Sequence, residues 1–166
     1  MGPGESVEDR KEHPMSGFRF VCGDCGKIEG FMTGMDFSYR RTYRATRQKA
    51  EAGAFGKKLS AFLSDHPEAA LNPENRLYLC PSCGAWRVEP DLSAYLPLDG
   101  RTEPEPFVLF EEDTGEADGY RSVLPYEHRC TCGGRMEPSA RPGEEKLRCR
   151  SCGGTMEIDV EMGSEQ

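Results

Sequence analysis

Eight cysteines gathered into four short pairs constrain this chain more than any other feature. The pairs are Cys22-Gly-Asp-Cys25, Cys80-Pro-Ser-Cys83, Cys130-Thr-Cys132 and Cys149-Arg-Ser-Cys152. A one- or two-residue gap lets both sulfurs of a pair turn toward one point, and two such turns facing each other make a tetrahedral four-sulfur site. Glycine follows the second cysteine of every pair, at Gly26, Gly84, Gly133 and Gly153. Glycine there permits the positive φ that closes the turn. The pattern predicts two metal sites built from Cys22, Cys25, Cys80, Cys83, Cys130, Cys132, Cys149 and Cys152, with zinc as the expected ion.

The pairs can combine in three ways, and the flanking residues favour one. Phe18-Arg-Phe-Val21 runs into Cys22 and Leu77-Tyr-Leu79 runs into Cys80. In the other half, Cys132-Gly-Gly-Arg-Met-Glu137 matches Cys152-Gly-Gly-Thr-Met-Glu157. Taking like with like joins 22/25 to 80/83 across 54 residues, and 130/132 to 149/152 across 16. Residues 126–160 then resemble a zinc ribbon, and the first two knuckles resemble those of rubredoxins. The whole resembles double zinc-ribbon proteins of bacteria. The resemblance implies Cys22, Cys25, Cys80 and Cys83 as one ligand set, with iron and electron transfer as the alternative to structural zinc there. His128, two residues before the short Cys130/Cys132 knuckle, is an alternative ligand. The all-cysteine set is preferred because thiolates dominate closed structural zinc sites.

The rest of the chain calls for such cross-links. It has 166 residues, 36% hydrophobic and 30% charged, with 19 Gly and 12 Pro. That supply is poor for one large core. The expected architecture is α+β: a tail over 1–16, a first ribbon over 17–98 carrying a helical-hairpin insert over 33–75, an acidic linker and β-hairpin over 99–125, and a second ribbon over 126–166. The insert reads as a helix over 38–52 and another over 55–64. The second has Phe55, Leu59, Phe62 and Leu63 on one face, with one more turn over 67–71. In the linker, Phe107–Phe110 and Tyr120–Tyr126 read as the two strands of the hairpin around an acidic turn over 111–119.

Charge limits the partners. Residues 91–128 hold two basic and ten acidic residues, which accounts for the whole net charge of −8. Such a chain is a poor non-specific binder of nucleic acid. The one basic cluster is Arg40, Arg41, Arg44, Arg47 and Lys49, either a phosphate-binding stripe or a solvated face. Tyr39, Tyr43, Trp86 and Tyr95 are candidate contacts or core residues.

Catalytic signatures are missing from the sequence. It has three histidines (His13, His66, His128) and no P-loop, G-x-S-x-G or H-E-x-x-H pattern. Cys80-Pro-Ser-Cys83 resembles a thiol-redox site in isolation. The stretch after it, Ala85-Trp-Arg-Val88, reads as a strand rather than the helix such chemistry needs. The expectation is a non-enzymatic interaction or adaptor module, with a protein partner first and nucleic acid second. With neither a signal sequence nor a membrane span of roughly 20 apolar residues, the expected compartment is the cytoplasm, where paired cysteines serve metals more often than disulfides.

Overall fold

The computed structural model describes residues 15–35, 38–111 and 116–163. The expected tail, His13 and the middle of the acidic turn fall outside them. The chain divides into two units: the described residues within Met1–Gly34, Asn75–Glu89 and Glu127–Gln166, and those within Met35–Glu74 and Pro90–Tyr126.

The first unit is built on a seven-stranded sheet, nearly closed on itself. Along its path the order is β5 (Trp86–Pro90), β4 (Asn75–Leu79), β2 (Ile28–Gly34), β1 (Met15–Cys22), β10 (Thr155–Gly163) and β9 (Leu147–Arg148), with β8 (Glu137–Pro138) also on β4. β1 is central. It pairs antiparallel with β2, Val21 facing Ile28, and with β10, Cys22 facing Met156. Strand alternation explains which side chains face inward. Phe18, Phe20 and Cys22 are buried with Leu77, Trp86, Leu147, Cys149 and Met156, while Arg19 faces out and pairs with Asp159 at 2.8 Å. Trp86 joins the two ends of the strand path, because its Nε1 on β5 donates to the Arg148 carbonyl on β9 at 2.9 Å. A smaller apolar cluster gathers Tyr78, Cys80, Cys130 and Met136.

The second unit holds both helices. α1 (Tyr39–Glu51) buries Tyr39, Tyr43, Thr46 and Ala50, a stripe at i, i+4, i+7 and i+11. Gly53, at φ 90°, stops it. α2 (Lys57–Asp65) buries Leu59 and Leu63, with Phe55 and Phe62 partly buried against the same cluster. The helices share their cores with a three-stranded sheet, β3 (Ala70–Leu71), β6 (Ala94–Pro97) and β7 (Tyr120–Leu124).

The expected fold class is therefore overturned. The described residues are mostly β, 35% strand against 18% helix, and not two zinc-ribbon units of which the first carries a helical-hairpin insert. The helices are there, but their apolar faces are covered by β3, β6 and β7. Of the expected turn over 67–71, residues 67–68 do turn while Ala70–Leu71 form the strand β3, and β6 lies within the range expected for the first ribbon. β7 pairs with β6, not with Phe107–Phe110. Val108 and Phe110 are buried in the core without forming a strand. Tyr39, Tyr43, Trp86 and Tyr95 are all core residues, at most 7% exposed.

Candidate metal centres

The eight cysteines form two four-sulfur groups, both in the first unit. One is Cys22, Cys25, Cys149 and Cys152; the other is Cys80, Cys83, Cys130 and Cys132. This corrects the like-with-like pairing: knuckle 22/25 faces 149/152, and 80/83 faces 130/132. The cause lies in the sheet. The ladder between β1 and β10 ends at Cys22 opposite Met156, which brings the first knuckle against the last. The pairing of β4 with β8 sets Leu79 opposite Glu137 and so brings the middle two together. Similar flanks mark equivalent positions in two sites, not partners within one.

Local hydrogen bonds build each knuckle. In the three C-x-x-C turns the first cysteine donates its N–H to the carbonyl five residues on: Cys22 to Lys27 at 2.9 Å, Cys80 to Ala85 at 2.8 Å and Cys149 to Gly154 at 2.8 Å. The glycine amide returns the bond: Gly26 to Cys22 at 3.0 Å, Gly84 to Cys80 at 2.8 Å and Gly153 to Cys149 at 2.9 Å. The C-x-C knuckle makes the same loop one residue shorter, with Cys130 donating to Gly134 at 2.8 Å and Gly133 to Cys130 at 2.9 Å. All four glycines have φ between 80° and 93°.

Sulfur geometry fits a tetrahedral ion. The cross-knuckle Sγ···Sγ distances are 3.5 Å for Cys22–Cys152 and 3.7 Å for Cys25–Cys149. In the other group they are 3.6 Å for Cys80–Cys132 and 3.5 Å for Cys83–Cys130. Zinc–sulfur bonds of about 2.3 Å in a tetrahedron put sulfurs about 3.8 Å apart, whereas a disulfide needs about 2.05 Å. In each group all four sulfurs lie within 4.8 Å of one another, room for one ion. Backbone amides point at several of them: Asp24 at Cys22, Gly134 at Cys132 and Gly154 at Cys152, at 3.3–3.4 Å.

The electrostatics favour thiolates at chosen positions. The Cys132 amide, then the Cys83 thiol, lowers the Cys130 thiol to about 6. The Cys152 amide does the same for Cys149, bringing it to about 7, and Cys80 is lowered through the amide of Cys83. At Cys132 the Gly134 amide works for the thiolate, but the facing thiols of Cys80 and Cys83 and the neighbouring thiol of Cys130 outweigh it and push the group up to about 11. Each group thus holds one sulfur ready to ionise near neutrality, and an arriving cation displaces protons from the others.

His128 is not among the groups. It is buried, stacked on Tyr78 with ring centres 3.8 Å apart, and its Nδ1 meets a Glu89 carboxylate oxygen. The basic stripe is partly spent on the fold. Arg47 pairs with Glu51 at 2.9 Å and donates to the carbonyls of Ala69 and Pro67. Arg40 lies over the Phe107 ring at 4.3 Å, while Arg41, Arg44 and Lys49 are exposed.

The second glycine after each late knuckle, Gly134 and Gly154, was a missed functional position. Its visible mark was the repeated Cys-Gly-Gly. A Cβ on Gly134 would stand 3.0 Å from Cys80 Sγ and 3.3 Å from Cys132 Sγ; one on Gly154 would meet Asp24 Oδ2 at 2.2 Å. Sulfurs held on an ion cannot give way, so overpacking of about 1–3 kcal/mol is expected. Gly134→Ala should weaken metal retention at its site roughly tenfold or more in a chelator competition. Gly23→Ala, with nothing within 4 Å of the new Cβ, is the control and should leave retention unchanged.

No helix among the described residues is long and apolar enough to cross a membrane. No family model matches the chain, and neither any curated protein nor any solved structure matches it.

Proposed function

We propose that this chain is a structural zinc protein: two zinc ions, each held by four thiolates, fix a β scaffold that serves as a non-catalytic interaction module. The observation that carries the reading is the closed geometry of both groups. Four sulfurs at tetrahedral spacing leave no position for water or substrate, and a catalytic zinc keeps one open. Cys22, Cys25, Cys149 and Cys152 hold one ion; Cys80, Cys83, Cys130 and Cys132 hold the other.

A protein partner is favoured over nucleic acid. On the outer side of β1, β2 and β10, Gly17, Met32, Val160 and Met162 make an apolar patch, with Met32 47% and Met162 62% exposed. Its one cation, Arg19, is paired with Asp159. Of the basic stripe, Arg41, Arg44 and Lys49 stand exposed without a contact that holds the fold, few cations for phosphate binding.

The test is metal content and visible spectrum of protein produced without added metal, followed by oligonucleotide titration at low salt. Two zinc per chain, no colour and no oligonucleotide binding are expected. Iron with a coloured, reversibly reducible centre would replace the reading with electron transfer. Oligonucleotide binding that falls steeply with salt would replace the protein partner with nucleic acid.

A further inference from the structure

The two metal centres are joined by a short chain of contacts within the first unit. Arg148 immediately precedes Cys149 of one centre. Its Nη1 donates to the carbonyl of Cys83, a member of the other, at 2.5 Å. The backbone of Arg148 is held too, because its carbonyl accepts Trp86 Nε1 at 2.9 Å. Arg150, inside the Cys149/Cys152 knuckle, reaches the same tryptophan: its Nη2 donates to the Trp86 carbonyl at 2.5 Å and its guanidinium lies 3.6 Å from the ring centre. Residues 148–150 therefore grip residues 83–86 at three backbone or ring points. One end of that grip carries Cys149 of one four-sulfur group and the other end carries Cys83 of the second.

From this arrangement we infer that the two centres load as a coupled pair, with Arg148 as the positioning residue that couples them. The inference rests on the two-zinc reading above and adds to it. A knuckle without its ion must be ordered when the ion arrives, at about 1–2 kcal/mol per residue of backbone fixed. When the first centre is filled, Cys149 and Cys152 are pinned, and with them the backbone that carries Arg148 and Arg150. Cys83–Trp86 is then partly ordered before its own ion binds, so that ion binds more tightly. Charge between the two filled centres opposes the coupling, because like charges repel, and Arg148 weakens that opposition. Each four-thiolate zinc centre carries a net charge of about −2, and the Arg148 guanidinium beside Cys83 offsets part of it. The coupling is reciprocal: filling the second centre favours the first by the same factor.

Arg148→Met removes the guanidinium and keeps all eight thiols. The readout is native mass spectrometry of the full chain, titrated from metal-free toward two equivalents of zinc. Coupling of about tenfold, within the usual range for linked sites, suppresses the one-zinc species in the natural chain at half loading. In Arg148→Met that species should at least double, while both ions still bind at excess zinc. Trp86→Phe, which keeps an aromatic ring and loses the N–H, should give a smaller rise in the same direction. Equal one-zinc fractions in the natural chain and Arg148→Met would overturn the coupling and leave the two-zinc reading intact. Failure of Arg148→Met to hold two ions at excess zinc would also overturn it, by making Arg148 a requirement for one centre instead of a link between two. If Arg148→Met does not fold, Arg148→Lys is measured instead. It keeps the charge without the planar fork, and must show a one-zinc fraction above that of the natural chain at half loading for the inference to stand.

Discussion

Stripping both ions with a strong chelator at neutral pH will unfold the sheet of the first unit and leave the two helices standing. Structural zinc contributes on the order of 10 kcal/mol per site near neutrality. That is comparable to the whole stability of an ordinary domain, about 5–15 kcal/mol. Four of the cysteines, Cys22, Cys149, Cys80 and Cys130, are themselves core residues of the first unit. Losing the ions leaves those clusters with unpaired thiols where the knuckles were pinned. The clusters of the second unit, around Tyr39, Tyr43, Leu59 and Leu63, contain no cysteine. Hydrogen exchange read residue by residue should therefore show loss of protection in β1 and β10, with α1 and α2 retaining theirs, and readdition of zinc should restore the strands. Acid works in the same direction. Ligand thiols must be deprotonated to hold the ion, so affinity falls as pH falls. A metal-free protein whose β1 and β10 amides stay protected would show that the sheet stands without metal.

What was legible in the sequence follows the range of the interaction that decides it. The knuckles are local: a glycine at positive φ and a loop of four or five residues fix them, so cysteine spacing alone identified all four. The helices are local too. The stripe Tyr39, Tyr43, Ala50 and the pair Leu59, Leu63 announce a buried face whatever covers it. What covers it is another matter. Ala94-Tyr-Leu-Pro97 is short and ends in proline, so nothing local marks it as β6; its strand identity comes from β3 and β7, 23 or more residues away on either side. Phe107–Phe110 erred the other way. It has the apolar composition of a strand, yet Val108 and Phe110 are simply buried, and the Val108 carbonyl accepts a hydrogen bond from the Tyr39 hydroxyl. Composition reports burial there, not pairing.

Replacing Cys22 and Cys149 together with serine should leave one ion bound, whereas replacing Cys22 and Cys80 together should leave none. The two double variants remove the same number of thiols, so they separate the nested arrangement from the like-with-like one. Under the nested arrangement the first pair strikes a single centre and spares Cys80, Cys83, Cys130 and Cys132. The second pair cripples both centres, leaving three thiolates in each. Under the like-with-like arrangement the outcomes reverse. The expected effect is large, because a site that loses one of four thiolates loses much of its roughly 10 kcal/mol. Metal counted per chain after gel filtration in a mild chelator reads the result. The physical reason for expecting the nested outcome is the ladder between β1 and β10. It runs from Ser16 opposite Gly163 to Cys22 opposite Met156, so every backbone bond along it draws the first and last knuckles together. No local feature of either knuckle carries that information. It resides in the alternation of Phe18, Phe20 and Cys22 against Ile158 and Met156, which buries one common face only when these two strands lie side by side.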